Sequence, residues 1–275
     1  MPNTKNPKSE LSRALLPELL GAASHIARFK LARPEFGSAR NISGIRTKTQ
    51  TFSQRHDSRT IFAFQTHYGY KGRAGAWTGP DKRSITECRR VLKAAGIPPR
   101  EVQDVTVVSE MGRVAERTSE NQFRVHEATV LRKLARASRN LEGVPVWSSY
   151  ATVGLTRKGD LGSLELHWPE ISEVVMKEAK VLQLLVKRGF KAPELPGAQV
   201  ESVQAGVIHS PAIGFFMDIT PCIRAIYRGQ DPAVGRKPVL YIDRHGNPVS
   251  PQRDIEVIEP PEKHRPKPVE RPTQK

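Results

Sequence analysis

Helix-like and strand-like segments follow one another along this chain without a regular β-α-β alternation, and this order most constrains the fold. Apolar residues recur at helical spacing over roughly 10–31, 84–96, 119–139 and 169–189. Segments rich in Val, Ile, Thr and Phe lie between these helices, separated by Gly and Pro turns. We therefore expect an α+β fold, a mostly antiparallel sheet packed by three to four helices, with disordered basic termini.

The length and the apolar content predict one main domain. A chain of 275 residues with 37% hydrophobic residues can build a substantial core. We assign 1–40 to a basic N-terminal arm with a possible helix, 41–258 to an α+β core domain and 259–275 to a disordered, Pro-rich basic tail. The first 50 residues are also poor in acid, so a translocation or transit segment is an alternative interpretation of the arm.

The charge points to a polyanionic partner. The chain has 44 Lys and Arg against 28 Asp and Glu, a formal net charge of +16 at pH 7. Nucleic acid is the favoured partner, because each neutralised phosphate releases counterions and needs no dedicated motif. A merely basic surface, or charge held in the tails, is the alternative explanation.

The cysteine count and the hydropathy pattern exclude several classes of protein. Two cysteines, Cys88 and Cys222, are too few for a disulfide framework or a Cys-rich zinc site, so we predict no metal. No apolar run is long enough to span a bilayer, and we expect no integral membrane association. A cytoplasmic location follows as an expectation, with translocation by a dedicated system or import into an organelle left open. The oligomeric state is also left open.

A Gly-rich segment over 67–83 is the first candidate phosphate site. It leaves a predicted strand, enters a predicted helix and mixes aromatic with basic side chains. Glycines let backbone amides approach a phosphate, and aromatic faces can stack on bases. Its spacing matches neither the Walker A pattern nor the dinucleotide fingerprint, and a surface loop is the alternative. The candidate binding residues are Tyr68, Tyr70, Lys71, Arg73, Trp77, Lys82 and Arg83.

A basic ridge is the second candidate. Arg132, Arg136 and Arg139 recur at i, i+4 and i+7 in the helix predicted over 119–139, so they would share one face. Such a ridge can track phosphates, and a solvated helix surface explains it equally well.

Enzymatic interpretations rest on weaker patterns. His67 and Glu165, with Tyr68 and the pair Ser148-Ser149, could bind a nucleotide such as NAD and stabilise charge developing at its ribose. We otherwise predict no cofactor. This hypothesis describes a translocated effector or toxin-like enzyme that transfers a group from NAD. A third hypothesis places the protein as a structural component of a large ribonucleoprotein assembly.

Two further interpretations involve cysteine. Cys222 could act as a nucleophile with His209 or His245, although core packing explains it better. His126-Glu127 and Pro221-Cys222 superficially resemble the zinc nucleobase deaminases. Ala225 stands where that chemistry needs a second thiolate, so we exclude the zinc site.

Overall fold

A computed structural model describes residues 17–39, 42–55, 59–65, 76–112, 115–119, 122–209, 219–229 and 238–249. Helix α1 covers 17–27 and ends as a π-helical segment over Ala23–Ala27. Helix α2 is Asp81–Ala94, α3 is Glu173–Lys187, and a 3-10 turn occupies Pro99–Glu101. The predicted tail over 259–275 and most of the segment over 67–83 lie outside the described residues.

Thirteen strands make up the rest of the secondary structure in the described part of the chain. They are β1 Glu35–Ala39, β2 Ile42–Arg46, β3 Gln50–Arg55, β4 Thr60–Gln65, β5 Val102–Gly112, β6 Ala115–Ser119, β7 Gln122–Val125, β8 Thr129–Leu141, β9 Val144–Leu155, β10 Leu161–His167, β11 Ala198–His209, β12 Ile219–Gly229 and β13 Val239–Ile242.

Eleven of these strands form one sheet around β9. The order is β1-β2-β3-β4-β10-β9-β11-β12-β13, with β8 added to β9 and β5 added to β8. Every pairing is antiparallel except that of β11 with β9. Strands β6 and β7 form a separate hairpin. Strand β9 therefore holds the sheet together, since its second half pairs with β10 and its first half meets β11.

The main core lies between this sheet and helices α1 and α2. Helix α2 buries Cys88, Val91 and Leu92 against strand residues such as Val153 and Leu166. The opposite face of β4 leaves Phe62 and Phe64 42% and 45% exposed. Helix α3 packs separately on β11 and β12, where Leu182, Ala205 and Ile223 meet.

The expected fold class is wrong. The described structure is mostly sheet, with 53% strand, 22% helix and three short helices, so the sheet is not packed by three to four helices. The helix predicted over 119–139 is instead the hairpin β6–β7 followed by β8. Strand β8 pairs with β5 on one side and β9 on the other, and these two ladders override the local helical spacing.

The other helix predictions are confirmed with shifted boundaries. Helix α2 begins at Asp81, three residues before the predicted start at 84, so Ser84 is buried inside the helix. Helix α3 begins after Ser172, whose side chain accepts a hydrogen bond from the Val175 amide. Strands β9 and β10 form an antiparallel hairpin.

Candidate functional site

One exposed face of α2 is basic along its length. Lys82, Arg89 and Lys93 are exposed and stand at i, i+7 and i+11, which places them within about one ninth of the helix circumference. We call these three residues the α2 basic face. Within the described ranges, no carboxylate forms an ion pair with any of them. Their charge is therefore available to an external anion.

The two carboxylates of α2 are already engaged. Asp81 accepts from Lys133 of β8 at 2.7 Å, and Glu87 binds Arg90 at 2.7 Å. Arg90 also donates to the carbonyl oxygens of His25 and Ile26, at 3.4 and 2.8 Å, and so ties α1 to α2. These contacts keep both acids from neutralising the α2 basic face.

An aromatic and cationic platform adjoins the start of α2. The Arg83 guanidinium lies 4.9 Å from the Trp77 ring centroid, within cation–π range, and donates to the Lys158 carbonyl at 3.1 Å. Beside it is a cavity of about 570 Å³ whose lining includes Arg28, Lys82 and Arg83. Of the predicted binding residues, the structure thus places Arg83 against Trp77 and beside Lys82. Their partners Tyr68, Tyr70, Lys71 and Arg73 lie outside the described residues.

The β9–β10 turn holds Arg83 in place, and a glycine pair tests this. Gly159 and Gly143 both have positive φ, +85° and +86°, in hairpin turns. A Cβ at Gly159 would lie 1.9 Å from Arg83 Nη2, whereas one at Gly143 would meet nothing within 4 Å. We expect Gly143→Ala to cost about 1–2 kcal/mol of unfolding free energy from backbone strain alone. Gly159→Ala should cost about 1 kcal/mol more, because Arg83 must leave its partners.

Urea denaturation of the two variants measures the difference. An equal loss in both would show that the position of Arg83 contributes nothing to stability.

The three arginines of β8 do not form a helical ridge. Arg132 and Arg136 alternate with buried residues of the strand and lie on its face away from α2, where Arg132 pairs with Glu110. Arg136 lies over the Tyr150 ring, 5.8 Å from its centroid. Arg139 is in phase with buried Ala137 and points into the protein, with 4% of its side chain exposed. The predicted common face is therefore wrong, because successive strand residues face opposite sides.

Arg139 is the centre of a buried network. Its Nη2 lies 2.9 Å from Glu101 Oε2, and its Nη1 donates to the Pro169 carbonyl at 2.5 Å and to Ser149 Oγ at 3.4 Å. The guanidinium lies 5.3 Å from the Trp168 ring centroid, and Trp168 Nε1 also donates to Glu101. Burial lowers the pKa of Arg139, and Glu101 opposes that shift. The arginine joins β8, β9 and the chain after β10.

Two buried histidines continue the network where β10 and β11 meet. His167 Nε2 and His209 Nδ1 are 3.0 Å apart, Thr60 Oγ1 lies 2.6 Å from His167 Nδ1, and Ser149 Oγ lies 3.3 Å from His209 Nε2. The His209 amide donates to Ser148 Oγ at 2.7 Å. One consistent proton arrangement has Ser149 donating to His209, His209 to His167, and His167 to Thr60.

Both imidazoles are held neutral. Burial lowers the pKa of His167 to about 4, with Arg55 and Arg139 adding repulsion. Burial lowers the pKa of His209 to about 3, with His167 and Arg139 adding to the effect. An imidazole with so low a proton affinity is a weak general base near pH 7, and the network fixes the strand junction instead.

The residues proposed for nucleotide chemistry are only partly described. Glu165 accepts a 2.5 Å hydrogen bond from the Tyr150 hydroxyl, which together with burial raises the pKa of Tyr150. Ser148 and Ser149 are buried in the histidine network. His67 lies outside the described residues.

Neither cysteine has the surroundings of a nucleophile. Cys88 and Cys222 are buried, and burial raises the pKa of each thiol to about 12. His209 is bonded within its own network, and His245 lies in the turn with Asp243 and Asn247. The structure therefore supports core packing for both thiols.

Sequence reasoning missed the α2 basic face and the histidine pair. The spacing of Lys82, Arg89 and Lys93 could have revealed the first, since it follows the helix period directly. The pair His167 and His209 is separated by 42 residues, and its contact depends on how two strands meet at β9.

The described residues provide neither a metal site nor a membrane-spanning helix. No group of three or more His, Cys, Asp and Glu in this part of the chain is arranged to hold a metal ion. No helix in it is both long and apolar enough to cross a membrane.

Comparisons with known proteins do not assign a family. No family model matches the chain, and no curated protein matches it. A crystal structure of an uncharacterized protein from Eubacterium rectale matches with a TM-score of 0.42 and 13% identity, over 90% of this chain and 83% of that one. A likeness at this level carries no conclusion about function.

Proposed function

We propose that this protein binds nucleic acid, or another polyanion, through the α2 basic face and the adjoining Trp77–Arg83 platform. The observation that carries the proposal is the set of three exposed cations, Lys82, Arg89 and Lys93, on one helix face without ion-pair partners in the described structure. The chain's formal net charge of +16 favours the same class of partner.

The dimensions of the α2 basic face suit a phosphate backbone. Lys93 lies eleven positions after Lys82, about 16 Å along a helix, which corresponds to about five nucleotide steps of one B-form strand. The Trp77 ring, stacked with Arg83, offers an aromatic surface at the same end of the helix as Lys82. Such a surface can stack on an unpaired base without selecting sequence.

Replacing the three cations tests the proposal. We expect the variant Lys82→Gln, Arg89→Gln, Lys93→Gln to bind arbitrary DNA and RNA more weakly at low salt. The slope of log Kobs against log salt should fall in magnitude by about 2–3, because each lost phosphate contact removes about 0.7–0.9. Fluorescence anisotropy with labelled single-stranded and duplex oligonucleotides over a salt series measures both quantities.

A matched control uses the exposed cations of the other long helix. Lys177 and Lys187 are exposed cations of α3, and the exposed Arg188 follows directly at the end of the helix. Replacing these three residues by Gln removes the same charge. That variant should keep most of the wild-type slope. If both variants lose affinity equally, the binding comes from overall charge and the α2 basic face is not the site. If the wild type shows no binding at low salt, the proposed function fails.

A further inference from the structure

A small polar cavity opens where β8 and β9 separate. Ser138 of β8 pairs with Tyr150 of β9, but the next residue, Arg139, pairs with Val146. The residues of β9 between these two pairs therefore bulge away from β8. The cavity beside the bulge has a volume of about 340 Å³. This is within the range of small-molecule sites, about 300–1,000 Å³. We call it the bulge cavity.

The lining of the bulge cavity combines basic and apolar residues, and no carboxylate belongs to it. Arg136 shares a face of β8 with Ser138, whereas Arg139 points to the opposite side, into the protein. Glu101 balances the charge of Arg139, but Arg136 forms no ion pair within the described ranges. Pro145, Val146 and Trp147 are apolar members of the lining. An anion with an apolar body would match this combination.

We propose that the bulge cavity binds a small organic anion, with its carboxylate or phosphate group at Arg136 and its apolar part against Trp147. The planar guanidinium group of Arg136 suits both oxyanions, since it offers donors in a fixed fork geometry. The hydroxyl of Ser138, which also lines the cavity, adds a donor of the same kind. This site shares no residue with the α2 basic face, so its test is independent of the polyanion proposal.

Four probes define the chemistry. Benzoate and phenyl phosphate present the two oxyanions on the same ring, benzyl alcohol is the neutral analogue, and inorganic phosphate lacks the apolar part. Isothermal titration is carried out on the variant without the three cations of the α2 basic face, which removes competing phosphate binding there. We expect at least one aromatic anion to bind with a millimolar or lower Kd, and benzyl alcohol to bind at least about tenfold more weakly.

Two substitutions and one control locate the bound anion. Arg136→Gln should weaken binding about tenfold or more, because a charge-assisted contact is lost. Arg132→Gln is the matched control on the same strand and face, since Arg132 pairs with Glu110 outside the cavity lining, and it should leave the affinity unchanged. Trp147→Phe should abolish the tryptophan fluorescence change that accompanies binding while the other two tryptophans remain.

Several results would overturn the proposal. One is failure of every probe to bind at millimolar concentration when the bulge cavity is unaltered. Another is that Arg136→Gln leaves the affinity unchanged. A third is equal affinity for benzyl alcohol and benzoate. Preference for benzoate assigns a carboxylate ligand, and preference for phenyl phosphate assigns a phosphate ester.

Discussion

Replacement of Arg139 by methionine is expected to lower the free energy of unfolding by about 3–5 kcal/mol, as breaking a buried ion pair from one side does. Methionine fills much of the same space but leaves Glu101, with 17% of its side chain exposed, without its counter-charge. It also leaves the Pro169 carbonyl and Ser149 without their guanidinium donor. Urea denaturation at pH 7 measures the loss, provided that the slope m stays constant.

Two further variants separate the ion pair from the packing. Arg132→Met breaks the partly exposed pair with Glu110 on the same strand and should cost no more than about 1 kcal/mol. Combining Arg139→Met with Glu101→Gln removes both charges, and we expect the double variant to recover about 1–3 kcal/mol relative to additivity. If Arg139→Met costs no more than Arg132→Met, the buried network does not hold the strand junction together.

Acidification is expected to destabilise the protein between about pH 6.5 and pH 4 through the histidine pair. The unfolded chain takes up protons at histidine below pH 6.5, whereas the folded pair resists protonation until its lowered pKa values, about 4 for His167 and about 3 for His209. The unfolded state therefore binds more protons in this window, and stability rises with pH. One such histidine contributes about 3 kcal/mol between pH 7 and pH 4. The stability that the neutral histidine pair contributes is fully present above about pH 7 and is lost as the pH falls.

A double variant isolates this effect from the carboxylates that also titrate on acidification. His167→Asn with His209→Asn keeps amide groups for hydrogen bonding but removes both imidazoles. We expect it to be less stable than the wild type at pH 7, with a flatter dependence of unfolding free energy on pH between 7 and 4. Denaturation curves at half-unit pH steps give the comparison. Parallel pH profiles for the two proteins would refute a role of the buried pair.

Helices α2 and α3 and the hairpin β9–β10 could be predicted because their signals are local. In α3 the apolar spacing, the acid at its start and the cation at its end all agree with one helix. In the β9–β10 turn, Gly159 supplies the positive φ that the connection requires. The sequence pattern of each of these elements is local, so it would predict the same element in any fold that buries its apolar face.

Strand β8 could not be predicted, because its pattern fits two structures. Small Ala135 and Ala137 hide the alternation that a buried strand face usually shows, while Leu131 and Leu134 satisfy the helical spacing. Pairing with β5 and β9 decided between them, and those contacts join residues that are distant in sequence. In a helix the three arginines would share one face. In the strand, Arg132 and Arg136 share a face and Arg139 lies on the opposite one.

The amino-acid sequence alone determined the surplus positive charge, the exclusion of a disulfide framework, and the basic face of α2, since these follow from composition and from a period of 3.6 residues. Only the tertiary structure decided which cations remain available. Burial and a carboxylate partner turned Arg139 into part of the core, whereas Lys82, Arg89 and Lys93 stayed exposed. The histidine pair and the bulge cavity likewise exist only because β8, β10 and β11 converge on β9, and no local pattern encodes where strands far apart in sequence will meet.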